Sequence, residues 1–413
     1  MITRIEALNY RCLRYVSRPL GSFHVLVGAN ASGKTTFLDV VSFMQDIATD
    51  GLDAALVNRT SNPEELLFKK QGDAFELAIE ARIPEELRKR TATPEFDTAR
   101  YEIVLGFDDT QHYFEFKGEK LLLIKDPKSK RFSGFFPPQT LLTPKRQHKV
   151  KTVINKTPGG NDKFYSEIYS KAGKGWAPSF KLGSLKSALQ NLPADEDAMP
   201  VATWFRELLR DGVQRFMLNS LLIRKPSPPT RVRGFLPDGS NLPWVVARLR
   251  KETPDRYTDW IAHLQTALPD LTGIATIERP EDKHCYLMYE YTGNFQVPSW
   301  LVSDGTLRLT ALTLPAYLAD FKGIYLVEEH ENGIHPRAIS TVYDSLSSVY
   351  NAQVLLASHS PVVLNAASSK DVLCFAKTED GATDIVLGSE HPRLRNWKGE
   401  ANLGTLLAAG VLG

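Results

Sequence analysis

The chain is poor in cysteine, with three in 413 residues, and Cys12, Cys285 and Cys374 form no C-x-x-C pair. Neither a disulfide framework nor a zinc ribbon is indicated. No apolar run approaches the length of a membrane span, and Met1-Ile2-Thr3-Arg4-Ile5-Glu6 does not have the character of a signal peptide. The expectation is a cytoplasmic protein with no membrane partner. Net charge is also scarce: 50 Lys and Arg against 48 Asp and Glu leave +2, so global charge predicts no polyanion partner. No heptad pattern lasts long enough for a coiled-coil arm, and internal repeats and low-complexity tracts are absent. What remains is an ordinary globular composition, 42% hydrophobic and 24% charged, long enough for one large or two ordinary domains.

Against this plain background one stretch stands out, Gly28-Ala29-Asn30-Ala31-Ser32-Gly33-Lys34-Thr35. It fits G-x-x-x-x-G-K-[ST]. Phe23-His24-Val25-Leu26-Val27 before it reads as a buried strand, and Thr36-Phe37-Leu38-Asp39-Val40-Val41 after it as a helix with an apolar face. Glycines let backbone N–H groups turn toward an anion, and the helix N-terminus adds its positive dipole end. Lys34 then reaches the β- and γ-phosphates of a nucleoside triphosphate, and the Thr35 hydroxyl ligates Mg²⁺.

Three later segments specify the machine. Ser303-Asp304-Gly305-Thr306 precedes a helical run; it reads either as an ordinary N-cap or as a second anion site at a helix N-terminus. Ile324-Tyr325-Leu326-Val327 reads as a buried strand with Glu328 and Glu329 at its C-terminal end, where open α/β sheets bind ligands. One carboxylate suits a Mg²⁺ shell, and the next suits orienting or deprotonating a water. A zinc reading of His330-Glu331 and His335 fails, because the spacing is five and Asn332-Gly333 breaks the helix that H-E-x-x-H needs. The third segment, Gln353-Val354-Leu355-Leu356-Ala357, is another buried strand and leads into Ser358-His359. A histidine there suits hydrogen bonding to a γ-phosphate, or a purely structural role.

Taken together and in this order, the motifs resemble the ABC-type ATPase heads of the SMC, RecF and OLD group, above all the compact AAA_21-like ATPases without a long coiled coil. The resemblance runs from residue 1 to about 380. It implies an α/β P-loop NTPase head with a mixed central sheet, an antiparallel β layer and a largely helical insertion. It implies ATP and Mg²⁺ as cofactors, with Gly28, Asn30, Ser32, Gly33, Lys34, Thr35 and Thr36 binding nucleotide. Ser303, Asp304 and Gly305 correspond to the signature motif, Glu328 joins Thr35 on the metal, Glu329 is the catalytic glutamate, Asn332 to Pro336 is the D-loop region and His359 the switch histidine. Three positions depart from the family pattern: Glu328 replaces an aspartate, His330 a proline, and Asp304 a small residue. Gln71 is a candidate Q-loop glutamine.

The expected organisation is an N-terminal ATPase lobe over 1–130, an insertion over 131–295 with basic loops and then helices, and a C-terminal lobe over 296–413. Phe75 to Ile83 and Tyr101 to Ile124 read as strands, with Tyr101 to Phe116 a hairpin. Helices are expected at Val201 to Met217, Leu242 to Lys251 and Asp255 to Leu268. Local charge is less neutral than global charge. From Lys117 to Lys156 eleven basic residues meet two acids, a balance of +9, with Phe132, Phe135 and Phe136 interleaved. Lys145, Arg146 and Lys149 are its candidate contacts with DNA or RNA; the bland alternative is a solvated loop.

Because in this family a signature helix lies far from its own P-loop, the resemblance further implies a head-to-tail homodimer around two ATP molecules. Such heads often act with a separately encoded nuclease or other toxic effector, so an ATPase subunit of anti-phage defence is expected. A RecF-like DNA maintenance ATPase and an ATP-locked scaffold with slow hydrolysis are the alternatives. A built-in Toprim nuclease is not expected, since no D-x-D follows His359.

Overall fold

The computed structural model describes residues 1–108, 113–125, 137–144, 149–169, 178–194, 196–230, 234–319, 321–328 and 330–391. Its elements begin with β1 (Ile2–Tyr10), β2 (Leu13–Pro19), β3 (Phe23–Gly28), α1 (Lys34–Thr49), α2 (Leu52–Val57), β4 (Ala74–Arg82) and α3 (Glu85–Lys89). Next come β5 (Thr98–Asp108), β6 (Tyr113–Ile124), β7 (Val150–Lys156), β8 (Asp162–Phe164), β9 (Ser179–Phe180), α4 (Pro200–Arg210) and β10 (Val213–Phe216). The chain continues through α5 (Ser220–Ile223), α6 (Leu242–Glu252), α7 (Pro254–Gln265), β11 (Leu271–Glu278), β12 (Cys285–Tyr291) and β13 (Phe295–Pro298). It ends with α8 (Asp304–Thr313), β14 (Ile324–Val327), α9 (Pro336–Ser347), β15 (Gln353–Ala357), α10 (Pro361–Ala366), β16 (Val372–Lys377) and β17 (Thr383–Leu387). Two compact units result: Met1–Gly21, Asn30–Val213 and Phe375–Ile385 form one, and Ser22–Ala29, Gln214–Cys374 and the residues from Val386 form the other.

The first unit carries an antiparallel sheet of order β2-β1-β4-β5-β6-β7-β8-β9. The hairpin expected around Tyr101 to Phe116 is β5–β6, with Tyr101 opposite Leu121 and Asp108 opposite Tyr113. Period-2 alternation puts Phe75, Leu77 and Ile79 of β4 on one face, all fully buried. There Tyr10, Phe43, Phe75 and Phe114 form a chain of ring contacts with centroids 5.0 to 5.8 Å apart. Helix α1 supplies Phe43 and buries Phe37, Leu38, Val40, Val41, Met44 and Ile47 as well. A helix apolar on so much of its circumference is stable only inside a core.

The alternate positions on the sheet are charged, yet they too are buried. Arg100 is 0% exposed and donates to Glu80 at 2.9 Å and Glu102 at 2.8 Å, and also contacts Glu6. Residues 137–144 supply further partners. The amide of Leu141 donates to Glu76 at 2.6 Å, that of Thr143 to Glu102 at 2.7 Å, and the Leu141 carbonyl accepts from Arg100 at 3.1 Å. A buried cation is tolerated because carboxylates and carbonyls surround it.

The second unit is organised around the parallel strands β3, β15 and β14 within the order β10-β14-β15-β3-β16-β17, with an antiparallel sheet β11-β12-β13 beside them in sequence. Continuous apolar runs such as Ile324 to Val327 suit strands covered on both faces. Helices α6, α7, α8 and α9 bury Val246, Trp260, Leu307 and Val342 in the same core. The Trp260 ring N–H donates to Thr313 Oγ1 at 3.0 Å. Helices α6 and α7 fall where the sequence suggests them. The helix expected to reach Met217 instead stops at Arg210: Gly212 closes its last turn by donating to the Leu208 carbonyl at 3.1 Å, and the chain leaves as β10.

Candidate functional site

The second unit brings three strand ends to one edge. Strands β14 and β15 run parallel with Val327 opposite Leu356, and β15 and β3 run parallel with Ala357 opposite Leu26. The residues that follow each strand therefore leave the same edge: Ala29 after β3, Glu328 after β14, Ser358-His359 after β15. Carboxyl ends of parallel strands are where such sheets bind ligands. The Ser358 amide donates to the Leu26 carbonyl at 3.1 Å, which draws the third loop to the first strand.

In the first unit the remainder of the glycine-rich loop runs into α1. Ala31 and Gly33 have φ of 58° and 103°, left-handed turns that redirect successive backbone amides. Gly33 has no room for a side chain, because a Cβ would lie 2.2 Å from Thr383 Oγ1 and 3.1 Å from Cys12 Sγ. That Thr383 hydroxyl donates to the Ser32 carbonyl at 3.0 Å. Helix α1 starts with no side-chain cap and no acid in its first turn. Lys34 is buried at this start, while Asn30 and Thr35 are exposed and Thr36 half-buried. The Ser32 hydroxyl, 2% exposed, is buried with no hydrogen-bond partner. An uncapped helix start, a buried lysine and an orphaned hydroxyl together fit a phosphate group. The helix itself is anchored from behind: Arg59 holds Asp39 at 2.7 Å and Asp46 at 2.8 Å, and the Tyr10 hydroxyl donates to Asp39 at 2.6 Å.

Beyond β14, Glu328 is half-buried, and Glu329 lies outside the described residues. His330 is fully buried, its Nδ1 2.8 Å from Glu331 Oε2 without hydrogen-bond geometry. Glu331 Oε1 accepts from the His359 amide at 2.7 Å and from the Ser358 hydroxyl at 3.3 Å. Burial alone would push the Glu331 carboxyl up; His330 and the His359 amide outweigh it and hold it at about 2. His335 is not paired with His330 but caps α9, its Nδ1 accepting from the Arg337 amide at 3.2 Å.

Ser303 caps α8, its hydroxyl accepting from the Thr306 amide at 3.2 Å. Asp304 pairs with Arg224, whose guanidinium also donates to the Trp300 carbonyl at 3.3 Å. Gly305 backs onto the turn that contains Gly333, since a Cβ there would lie 2.7 Å from the Gly333 carbonyl. The second unit thus brings the start of α8 close to the backbone of the turn after β14.

Of the candidate nucleic-acid contacts, Lys145 and Arg146 lie outside the described residues, as do Phe132, Phe135 and Phe136; Lys149 is exposed. Other members of the basic run are internally committed. Lys156 is buried and 3.0 Å from Asp162, Lys120 donates to the Thr143 carbonyl at 2.6 Å, and Lys117 pairs with Glu115. A count along the sequence misses these partners, because Glu115 and Asp162 lie outside the counted window. Gln71 is exposed, and its carbonyl accepts from Asn9 Nδ2 at 3.0 Å.

Residues 23–365 match the family described as AAA domain, putative AbiEii toxin, Type IV TA system, or AAA_21. The chain belongs to the AAA_21 family. Among solved structures, this AAA_21 protein is similar to an Smc head bound to the C-terminal winged-helix domain of ScpA, with TM-score 0.54 and 15% identity over 93% of this chain and 97% of that one. It is also similar to the Smc head domain with an extended coiled coil bound to the C-terminal domain of ScpA from Pyrococcus furiosus, with TM-score 0.53 and 15% identity over 93% and 95%. These likenesses show the fold alone, that of the Smc head domains. No curated protein matches the chain. Among the described residues no helix is long and apolar enough to cross a membrane. Sequence reasoning did not single out Thr383, and it weighed Glu331 only in the rejected zinc reading; the signal for Glu331 was its place three residues after Glu328 beside the strand end.

Proposed function

We propose that this AAA_21 protein binds Mg·ATP through residues 28–36 and hydrolyses it between two copies of itself. The observation that carries the reading is the buried, partnerless Ser32 hydroxyl beside Lys34 at the uncapped start of α1. Lys34 neutralises the β- and γ-phosphates, and the loop amides and Ser32 hydroxyl donate to phosphate oxygens. Thr35 and Glu328 would hold Mg²⁺, which would offset charge developing on the transferred phosphoryl group. Glu329 takes the proton of the attacking water, and His359 donates to the γ-phosphate. Ser303 and Gly305 of a second copy close over the same phosphate from the N-terminus of α8.

Binding energy then appears as shape: two heads close with ATP and part after hydrolysis. The biological reading is an ATPase subunit that controls a nucleic-acid-directed effector in anti-phage defence. The family description, which names a putative toxin of a type IV toxin–antitoxin system, supports it. The ScpA-bound Smc heads support a separately encoded partner. The test is Glu329→Gln with saturating Mg·ATP in light scattering. A stable dimer that reverts to monomer without nucleotide is expected, and a monomer under both conditions refutes the sandwich.

A further inference from the structure

Two loops leave adjacent parallel strands in the second unit, residues 328 and 330–335 after β14 and 358–360 after β15. Backbone pairing of the strands ends at Val327 and Leu356, so nothing in the ladder fixes the loops to each other. A side chain of the first loop reaches the second. Glu331 Oε1 accepts from the backbone amide of His359 at 2.7 Å and the hydroxyl of Ser358 at 3.3 Å. The Ser358 oxygen in turn accepts from the Ser360 amide at 3.0 Å. The exposed His359 ring thus stands on a peptide held on either side by buried serines and from below by a carboxylate only 17% exposed. Glu331 Oε2 faces His330, whose side chain is 0% exposed, so the carboxylate is oriented at both ends.

We infer that Glu331 is a positioning residue: it couples the turn that follows Glu328 to the loop carrying His359, and sets where the histidine points. It does not itself touch the nucleotide. A charge-assisted N–H···O bond is short and directional, and it fixes the peptide plane from which the His359 side chain projects. Because reacting groups must be held within about 1 Å of their productive places, loss of this bond lowers turnover by about 10- to 100-fold. ATP affinity, carried by the glycine-rich loop, changes little.

The inference rests on the reading of His359 as a γ-phosphate contact, and a double-mutant cycle separates the two. Steady-state ATP hydrolysis is measured for wild type, Glu331→Ala, His359→Ala and the double variant, with Glu331→Gln as a near-isosteric companion that keeps one acceptor oxygen. The expected result is a kcat loss for Glu331→Ala with KM within about twofold, a smaller loss for Glu331→Gln, and a double variant no slower than His359→Ala alone. Multiplicative losses in the double variant, or wild-type kcat in Glu331→Ala, overturn the positioning role while leaving the ATPase reading intact. Wild-type kcat in His359→Ala overturns the γ-phosphate reading and the inference with it. If Glu331→Ala does not fold, the cycle is run with Glu331→Gln, judged by the same criteria.

Discussion

Gly33→Ala probes the phosphate loop most sharply, because the structure supplies two separable costs. An alanine at φ 103° is strained, at about 1–3 kcal/mol. Its Cβ would also meet Thr383 Oγ1 at 2.2 Å and Cγ2 at 2.9 Å, and overpacking of this kind costs about 1–3 kcal/mol. The loop escapes both costs by leaving its present conformation, and nucleotide binding must then restore it. At the lower end, about 2 kcal/mol, ATP affinity falls by about 30-fold. Thr383→Ala in the same chain removes both clashing atoms but not the φ strain. With the lost Thr383 bond to the Ser32 carbonyl accounted for by Thr383→Ala alone, the double variant therefore regains about fivefold. Titration calorimetry with Mg·ATP measures all four chains. Gly33→Ala binding within threefold of wild type would refute the argument, as would a double variant no better than the single one.

Further expectations concern the first unit and the basic segment. Glu119 is fully buried and accepts from the amides of Ala188 at 2.7 Å and Leu189 at 2.9 Å, and from the hydroxyls of Ser187 and Tyr101. Glu119→Ala strands these donors and lowers stability by about 3–5 kcal/mol in urea unfolding; a loss under 1 kcal/mol contradicts the ledger of donors. Burial pushes the Glu167 carboxyl up to about 7, against the opposing pull of the Val201 and Ala202 amides and Lys151. Its folded pKa exceeds the ordinary 4.5, so its contribution is full below pH 4.5 and is lost as pH rises through 7. The stability of wild type relative to Glu167→Gln should fall by up to about 3 kcal/mol between pH 4.5 and 8, and a pH-independent difference rules this out. Substituting Lys145, Arg146 and Lys149 together should weaken DNA or RNA binding and flatten its salt dependence; unchanged binding removes this segment as the contact.

Much of this fold is written locally. The P-loop, the apolar runs of β3, β14 and β15, the β5–β6 hairpin and helices α6 and α7 each announce themselves within a short window, because period, caps and turn residues agree. What is illegible depends on distant partners. Glu6, Glu80, Arg100 and Glu102 alternate with apolar residues, the pattern a solvated face also shows, but Arg100 finds Glu6 across 94 positions and Leu141 across 41, and the face is buried. A one-dimensional pattern cannot tell a wet polar face from a covered one. The helix expected to run to Met217 fails for a similar reason: after Gly212 the residues Val213 to Phe216 gain more as a sheet strand than as another helical turn. In the candidate site the sequence supplies the glycine-rich loop, the paired acids and the histidine. The joint between acids and histidine needs coordinates, because Glu331 and His359 lie 28 residues apart and meet only when β14 and β15 run parallel.

The central claim is that the chain turns over ATP at this loop. Phosphate release under saturating Mg·ATP, with and without duplex DNA, tests it most directly when wild type is run beside Lys34→Ala and Glu329→Gln. The account predicts release by wild type and none above background in either variant. Release that is equal in all three chains, or absent from wild type, contradicts it.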